Sequence, residues 1–488
     1  MEENYFNLLS LPEDATTEEI RNAYHVAARK YHPDRNNSSD AAGRFREVQE
    51  AFEILSYTTK RDLYREKVAI EIKKSPVTLK KAFSSKSLAL LNEKQLLYVL
   101  FEIDCDNSKS LDSAADLELC LIVDYSTSMS DNRLGMVKSS ISHLVTQMKQ
   151  TNIISIVGFS DFAELIVPPV LVEDYKKHEN NLGSIKAHGA TELLKGLELG
   201  ISTFKKDSTS TRIRRLILLT DGHTYGDEDA CLELAKKASE KRISIYALGF
   251  GDKWNDEFLD RVTSCSGGNA SFVANNDELK RLLSEKTFSA SYLYAQQLSL
   301  EYKPAHGSRL NYIFRLIPDA SPLSIQDPLQ LGNLYYNERM LLLFEFLIDP
   351  IKVNIEQMEI LKGKLWLDIP SNNIKCERYF IDWNRPVTKL LKKAVPPESI
   401  VHAISRLTLY RMQEKARKDV EQKKYREASK KLNYLASQLF SQGEYEFAKT
   451  VLFEASQVER TGNFSQDGDK RIKYGTRSLL LQSGLESE

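Results

Sequence analysis

Residues 117–128 read LELCLIVDYSTS. An apolar run rich in Leu, Ile and Val leads straight into Asp124, Ser126 and Ser128, which is the pattern of a buried parallel strand ending in a polar loop. In an open α/β sheet, ligands sit beyond the carboxyl ends of the strands, so this loop stands where a binding site is expected. One carboxylate and two hydroxyls at alternate positions can turn three hard oxygens toward one point. That donor set suits Mg²⁺ or Mn²⁺ rather than zinc, and no sulfur or imidazole is close in sequence.

Working outward, the apolar spacing of Val137, Ile141, Leu144, Val145 and Met148 predicts a helix over about 134–148. Strand and helix then alternate: ISIVGF at 154–159, a helix from Glu192, LILLT at 216–220, a helix over about 229–239, ISIYALGF at 243–250, and helices near 256–264 and 277–285. Such alternation implies a doubly wound, Rossmann-like α/β domain over 116–287 with a mostly parallel sheet. A dinucleotide site would place G-x-G-x-x-G after the first strand, but that place holds DYSTSMSD; Gly249-Phe250-Gly251 reads as a turn. Gly189-Ala190-Thr191 and Asp221-Gly222 fall at the ends of other elements and are candidates to converge on the first loop. DxSxS, GAT and TDG in this order resemble the von Willebrand factor A domain and its metal-ion-dependent adhesion site. The segment YALGFGDKWNDEFLDRVTSCSGG is also similar to bacterial members. The resemblance implies that Ser126, Ser128 and Thr191 bind a divalent metal directly, with Asp124 and Asp221 holding it directly or through water. Neutral hydroxyls leave the ion electrophilic, with a position open for a partner's Asp or Glu. Taken singly, each serine or threonine reads as a helix cap and Asp221 as an ordinary turn. His188 and His223 lie in the same loops, yet no His or Glu pair offers a general base for hydrolysis, so no enzyme is expected.

Residues 69–115 and 288–385 have a different texture, with short apolar runs and period two in AIEIKK, SLALLN, QLLYVLFEIDC, SLSLEYKP, NYIFRLIP and LKGKLWLDIP. They are read as two parts of one antiparallel β-sandwich into which the α/β domain is inserted.

Over 1–68 a capping box, Thr16 and Glu19, opens a helix with Ile20, Ala23, Tyr24, Ala27 and Tyr31 on one face. Pro33 must stop it, because the residue before proline avoids the α conformation. A second helix over 41–56 carries Phe45, Val48, Phe52 and Leu55 on one face. Tyr5, Leu8, Leu9, KYHPDR at 30–35, RFREVQEAFEILS at 44–56 and KRDLY at 60–64 resemble a DnaJ-type J domain. Departures are Ser10, Tyr57-Thr58 and Arg65, none in the HPD loop. The resemblance implies docking onto a DnaK-type heat-shock chaperone, with His32, Pro33 and Asp34 stimulating its ATPase and Arg29, Lys30 and Arg35 offering charge. The glycine- and phenylalanine-rich linker and the zinc repeats of general-purpose DnaJ proteins are missing.

Residues 386–460 return to helical periodicity. GEYEFAKTVLFEA at 443–455 is similar to half a tetratricopeptide unit, but one unit builds no solenoid, so a helical bundle closing the sandwich is expected. Residues 461–488 read as a tail that is polar apart from Leu479–Leu481 and loose at its end.

The 488 residues carry 67 Lys and Arg against 68 Asp and Glu, a net charge of -1, which argues against a nucleic-acid surface. The five cysteines form no C-x-x-C pair, and no apolar run approaches the ~20 residues of a membrane span. The expectation is a cytoplasmic co-chaperone that recruits a DnaK-type chaperone to a protein client held through Mg²⁺ or Mn²⁺. The alternative is a regulatory scaffold for a metal-dependent assembly or an AAA+ ATPase, with the J domain secondary.

Overall fold

The computed structural model describes residues 5–9, 11, 15–31, 41–57, 60–61, 77–105, 116–130, 132–204, 212–222, 226–251, 254–336, 338–352, 355–369, 377–389 and 395–481. Two compact units divide the chain, Met1–Thr78 and Leu79–Glu488.

The first unit is helical, with α1 (Tyr5–Leu8), α2 (Thr17–Tyr31) and α3 (Ala41–Leu55). The capping box forms: Thr16 Oγ1 accepts from Glu19 N at 3.3 Å, while the Glu19 carboxylate accepts from Thr16 N at 2.7 Å. Ile20 of α2 packs with Val48, Ala51 and Leu55 of α3 and with Phe6 and Leu9. Tyr24 stacks on Phe52 with ring centroids 4.2 Å apart.

In the second unit a six-stranded sheet forms the centre. Its strands are β4 (Leu117–Asp124), β5 (Ile153–Phe159), β6 (Ala163–Leu171), β7 (Ile213–Thr220), β8 (Ile243–Phe250) and β9 (Ala270–Val273), in the order β6-β5-β4-β7-β8-β9. All neighbours are parallel except β5 and β6. The β6 hairpin strand has no counterpart in the sequence reading. It holds Pro168 and Pro169, which lack a donor, and a sheet tolerates them there because β6 lies at its edge. Helices α4 (Arg133–Gln147), α5 (Glu179–Ser184), α6 (Leu193–Ser202), α7 (Glu228–Glu240), α8 (Asp256–Ser264) and α9 (Asn276–Phe288) cover both faces. β4 is buried on both sides, as its apolar run requires: Leu119, Leu121 and Val123 pack toward α4 and α9, and Cys120 and Ile122 toward α6 and α7.

The α/β domain is inserted into a β-sandwich. Strands before it, β1 (Val77–Phe83), β2 (Leu88–Ala89) and β3 (Gln95–Cys105), share sheets with strands after it. These are β10 (Leu293–Pro304), β11 (Ser308–Ile317), β12 (Ser321–Pro322), β13 (Leu329–Tyr335), β14 (Met340–Ile348), β15 (Gln357–Asp368) and β16 (Glu377–Thr388). One sheet runs β1-β3-β14-β11-β12 and the other β13-β10-β15-β16-β2. Trp383 of the second sheet sits edge-on to Phe101 and Phe344 of the first, at 5.3 and 5.1 Å between centroids, and fastens the two together. The expected strand AIEIKK lies outside the described residues.

Buried cations join the two parts. Arg315 of β11 donates to the carbonyls of Leu331 (2.9 Å), Gly268 (3.2 Å) and Gly267 (3.3 Å). Arg215 of β7 donates to Ser289 Oγ at 2.7 Å and to the Tyr335 hydroxyl at 3.2 Å.

Four helices follow: α10 (Glu398–Glu421), α11 (Tyr425–Ser441), α12 (Tyr445–Thr461) and α13 (Gly468–Leu481). α10 closes the sandwich, with Ile400, Ala403, Leu407 and Tyr410 packed on Leu100, Phe314, Leu341 and Leu343. The expected polar tail over 461–488 is corrected in part: half of it is the helix α13, and its end, 482–488, lies outside the described residues. This helix buries Lys470, Lys473 and Arg477 against the α/β domain. Its polarity misled because its charges are paired rather than solvated. Asp256 takes two hydrogen bonds from Arg417 at 2.9 and 3.0 Å and contacts Lys470 and Lys473, while Asp260 pairs with Lys473 at 2.8 Å and with Arg477. Burial opposes ionisation of Asp256, but Lys473, Arg417 and Lys470 outweigh it and hold its carboxyl well below the usual range.

Removing one partner from a buried ion network strands the others, at about 3–5 kcal/mol. Asp256→Asn should lower unfolding stability by that order in urea titrations at pH 7. Because the folded-state pKa is depressed, this contribution is present above the ordinary carboxylate range and is lost as pH falls below about 4. The gap between wild type and variant should therefore narrow in acid.

Candidate functional site

The sheet changes direction of winding between β4 and β7. From β4 the chain passes through α4 to β5 on one side, and the later β7, α7 and β8 build out on the other. The crevice at such a switch point is where open α/β sheets bind ligands. β4 and β7 are paired in parallel register, Val123 opposite Leu219, so the two strands end together with Asp124 and Asp221 at their tips.

Asp124 is fully buried. Its Oδ1 accepts from Ser126 N at 2.8 Å and its Oδ2 from Thr220 Oγ1 at 2.6 Å. This carboxylate shapes the loop: it folds 124–126 into a tight turn that lifts the two serines. Ser126 Oγ lies 3.0 Å from Ser128 Oγ, and Ser128 Oγ donates to Asp221 Oδ1 at 2.6 Å. Burial pushes the Asp124 carboxyl up to about 6, against the bonds from Ser126 and Thr220 and with the nearby Asp221 adding to the rise.

Thr191 reaches the same place from the loop before α6. A Cβ on Gly222 would lie 2.6 Å from Thr191 Oγ1, so only glycine leaves room for that hydroxyl beside Asp221. The loop is pinned from three directions: Thr127 N donates to Gly189 O at 3.0 Å, His188 N to Tyr125 O at 2.8 Å, and Ala190 N to Asp161 Oδ1 at 2.8 Å.

Asp124, Ser126, Ser128, Thr191 and Asp221 are thus gathered at one end of the sheet. The Ser126 and Ser128 hydroxyls form a chain of contacts that ends on Asp221, Thr191 stands against Gly222 beside them, and the oxygens of both carboxylates already accept from protein donors. Such a set offers hard oxygens with little negative charge of its own, which fits a divalent cation bound mainly through hydroxyls and water. Among the described residues, no group of three or more His, Cys, Asp or Glu gathers to hold a metal. His188 is exposed, with its ring 5.1 Å from that of Tyr125, and His223 lies outside the described residues.

Three supporting residues were not singled out from the sequence: Thr220, Asp161 and Arg133, whose guanidinium contacts Asp221. Thr220 was within reach, since a hydroxyl residue directly precedes Asp221. Asp161 and Arg133 act across long sequence separations that no local pattern marks.

In the first unit, Arg29 and Lys30 stand exposed in the last turn of α2. His32, Pro33, Asp34 and Arg35 lie outside the described residues.

Family models match residues 4–65 as a DnaJ domain, 118–285 as a von Willebrand factor type A domain, and 398–482 as an Sll0103-like, C-terminal alpha-helical domain. This chain joins a DnaJ domain to a von Willebrand factor A domain. It is 28% identical over 249 residues to an uncharacterized protein of Synechocystis, sll0103, covering 49% of this chain and 59% of that one. Over 61 residues it is 48% identical to the chaperone protein DnaJ of Mycoplasmoides gallisepticum, which is 12% of this chain and 16% of that one. The matches therefore span less than two thirds of either relative. A von Willebrand factor type A structure from Catenulispora acidiphila superposes with a TM-score of 0.66 at 12% identity, covering 82% of this chain and 96% of that one. That likeness extends the shared fold well beyond the A domain into the sandwich and helices.

An Asp whose pKa is raised in the folded state stabilises least once it ionises, so its contribution falls as pH rises from about 4 through about 6. Without added divalent metal, wild type should lose thermal stability relative to Asp124→Asn across that window. Parallel melting curves at pH 4.5 and 7 check the sign.

Proposed function

We propose that the chain is a non-enzymatic adaptor. Its J domain recruits a DnaK-type chaperone and stimulates ATP hydrolysis there, and its A domain selects a protein client through a divalent metal. The observation that carries the second half is the convergence of the Ser126 and Ser128 hydroxyls with Asp221 at the switch point, 3.0 and 2.6 Å apart along the chain of contacts. Mg²⁺ or Mn²⁺ would be held by Ser126, Ser128 and Thr191. Asp124 and Asp221, whose oxygens already accept from protein donors, suit water-mediated roles. The ion would supply a Lewis-acidic position open to a client's Asp or Glu.

The first half rests on the DnaJ match over 4–65 and on the intact sequence His32-Pro33-Asp34. Among the described residues, no helix is long and apolar enough to cross a membrane, so nothing there competes with a protein-binding reading.

Single-turnover ATPase assays with a DnaK-type chaperone test the recruitment. Wild type should accelerate hydrolysis, His32→Gln should return it to the unstimulated rate, and Asp124→Ala should leave it unchanged at constant Mg²⁺. No acceleration by wild type would sink the co-chaperone reading and favour a regulatory scaffold. For the metal, titration of Mn²⁺ should show one site, weakened about 10- to 100-fold in Thr191→Val; equal affinity in the variant would remove Thr191 from the site.

A further inference from the structure

Asp221, like Asp124, has both carboxylate oxygens engaged, but one of its partners is a cation. Its side chain is fully buried, Oδ1 accepts from the Ser128 hydroxyl at 2.6 Å, and Oδ2 is paired with the guanidinium of Arg133. The same Nη1 also donates to Ser128 O at 3.3 Å, so Arg133 is bound to both ends of the proposed ligand set. Its seat is made by Gly251, which turns the chain after β8 at φ 68°. A Cβ there would stand 2.8 Å from Arg133 Nη2.

The placement is costly for α4 itself. Arg133 is the first residue of that helix, where the exposed N–H groups make the dipole positive and a cation is disfavoured. Asp221 offsets that cost. The pair therefore joins a cation to one of the two carboxylates at which a divalent ion would also be attracted, and the charge that Asp221 gives the guanidinium is charge it offers less strongly to the ion. Arg133 is 30% exposed, whereas Asp221 is 0% exposed, so the arginine is the partner with a way out to solvent.

Resting on the metal reading above, we propose that Arg133 is an internal cation that competes with the divalent metal for Asp221. Metal uptake displaces the guanidinium toward solvent, and metal loss lets it return. Arg133 thereby sets the affinity of the site and keeps the buried carboxylate neutralised when no ion is bound.

The test is Mn²⁺ binding to the full chain, read by electron paramagnetic resonance of the free ion, together with thermal midpoints with and without Mn²⁺. Arg133→Gln should bind Mn²⁺ roughly 10- to 100-fold more tightly than wild type, the equivalent of one charge-assisted hydrogen bond that no longer has to break. Its metal-free midpoint should drop, and Mn²⁺ should raise that midpoint more than it raises the wild-type one. Equal or weaker binding by a folded Arg133→Gln, with wild type binding normally, would overturn the competition and leave the metal site standing. If neither chain binds Mn²⁺, both the competition and the metal reading fall. Should the glutamine variant not fold, Arg133→Lys decides in its place, since a shorter side chain without the planar fork should also bind more tightly than wild type. Affinity no higher than wild type would overturn the proposal.

Discussion

The parallel pairing of β4 with β7 is the constraint on which the site depends. Seven register pairs, from Leu117 opposite Ile213 to Val123 opposite Leu219, bring residues nearly a hundred positions apart to the same edge of the sheet. Because both strands are buried on both faces, a slip of register would expose apolar side chains, and the strands must end level with one another. Asp124 and Asp221 are neighbours for that reason. The hydroxyls of Ser128 and Thr220 and the backbone N–H of Ser126 are then aligned by hydrogen bonds to those two carboxylates, so the loop geometry follows from the strand register rather than from any local preference.

Charges recur as the means by which separate layers are fastened. Arg315 satisfies three backbone carbonyls between the sandwich and the α/β domain, Lys286 pairs with Asp319 at 2.5 Å, and α13 is held by Asp256 and Asp260. Each of these ions is buried or half-buried, and such a charge persists only where its partners are fixed in place. The consequence is that sandwich, A domain and terminal helices hold together as one unit, with the candidate metal loops at the open end of the sheet.

Much of the architecture was readable from pattern alone. The apolar run before Asp124, the alternation of strands and helices, and the capping box at Thr16 and Glu19 all lead to the elements observed, since each depends on neighbours within a few residues. The edge strand β6 was missed because prolines lack a donor and are tolerated only at a sheet edge, and the position of the edge is not marked in the sequence. α13 was taken for part of a polar tail because Lys470, Lys473 and Arg477 are polar by composition, and nothing in their own segment announces the aspartates more than 200 residues away that bury them.

What the sequence determined by itself was the inventory: which segments form strands and helices, and which residues carry chemistry suited to a hard cation. Periodicity, capping and the donor types of Asp, Ser and Thr are local properties, so they survive without coordinates. The tertiary structure decided what those groups do to each other. It took both oxygens of Asp124 for the loop and put Arg133 on Asp221. It also made room for Thr191 at Gly222 and paired the charges of α13. Each of those outcomes depends on distances between residues far apart in the chain, and such distances are set only when strand register and layer packing are complete.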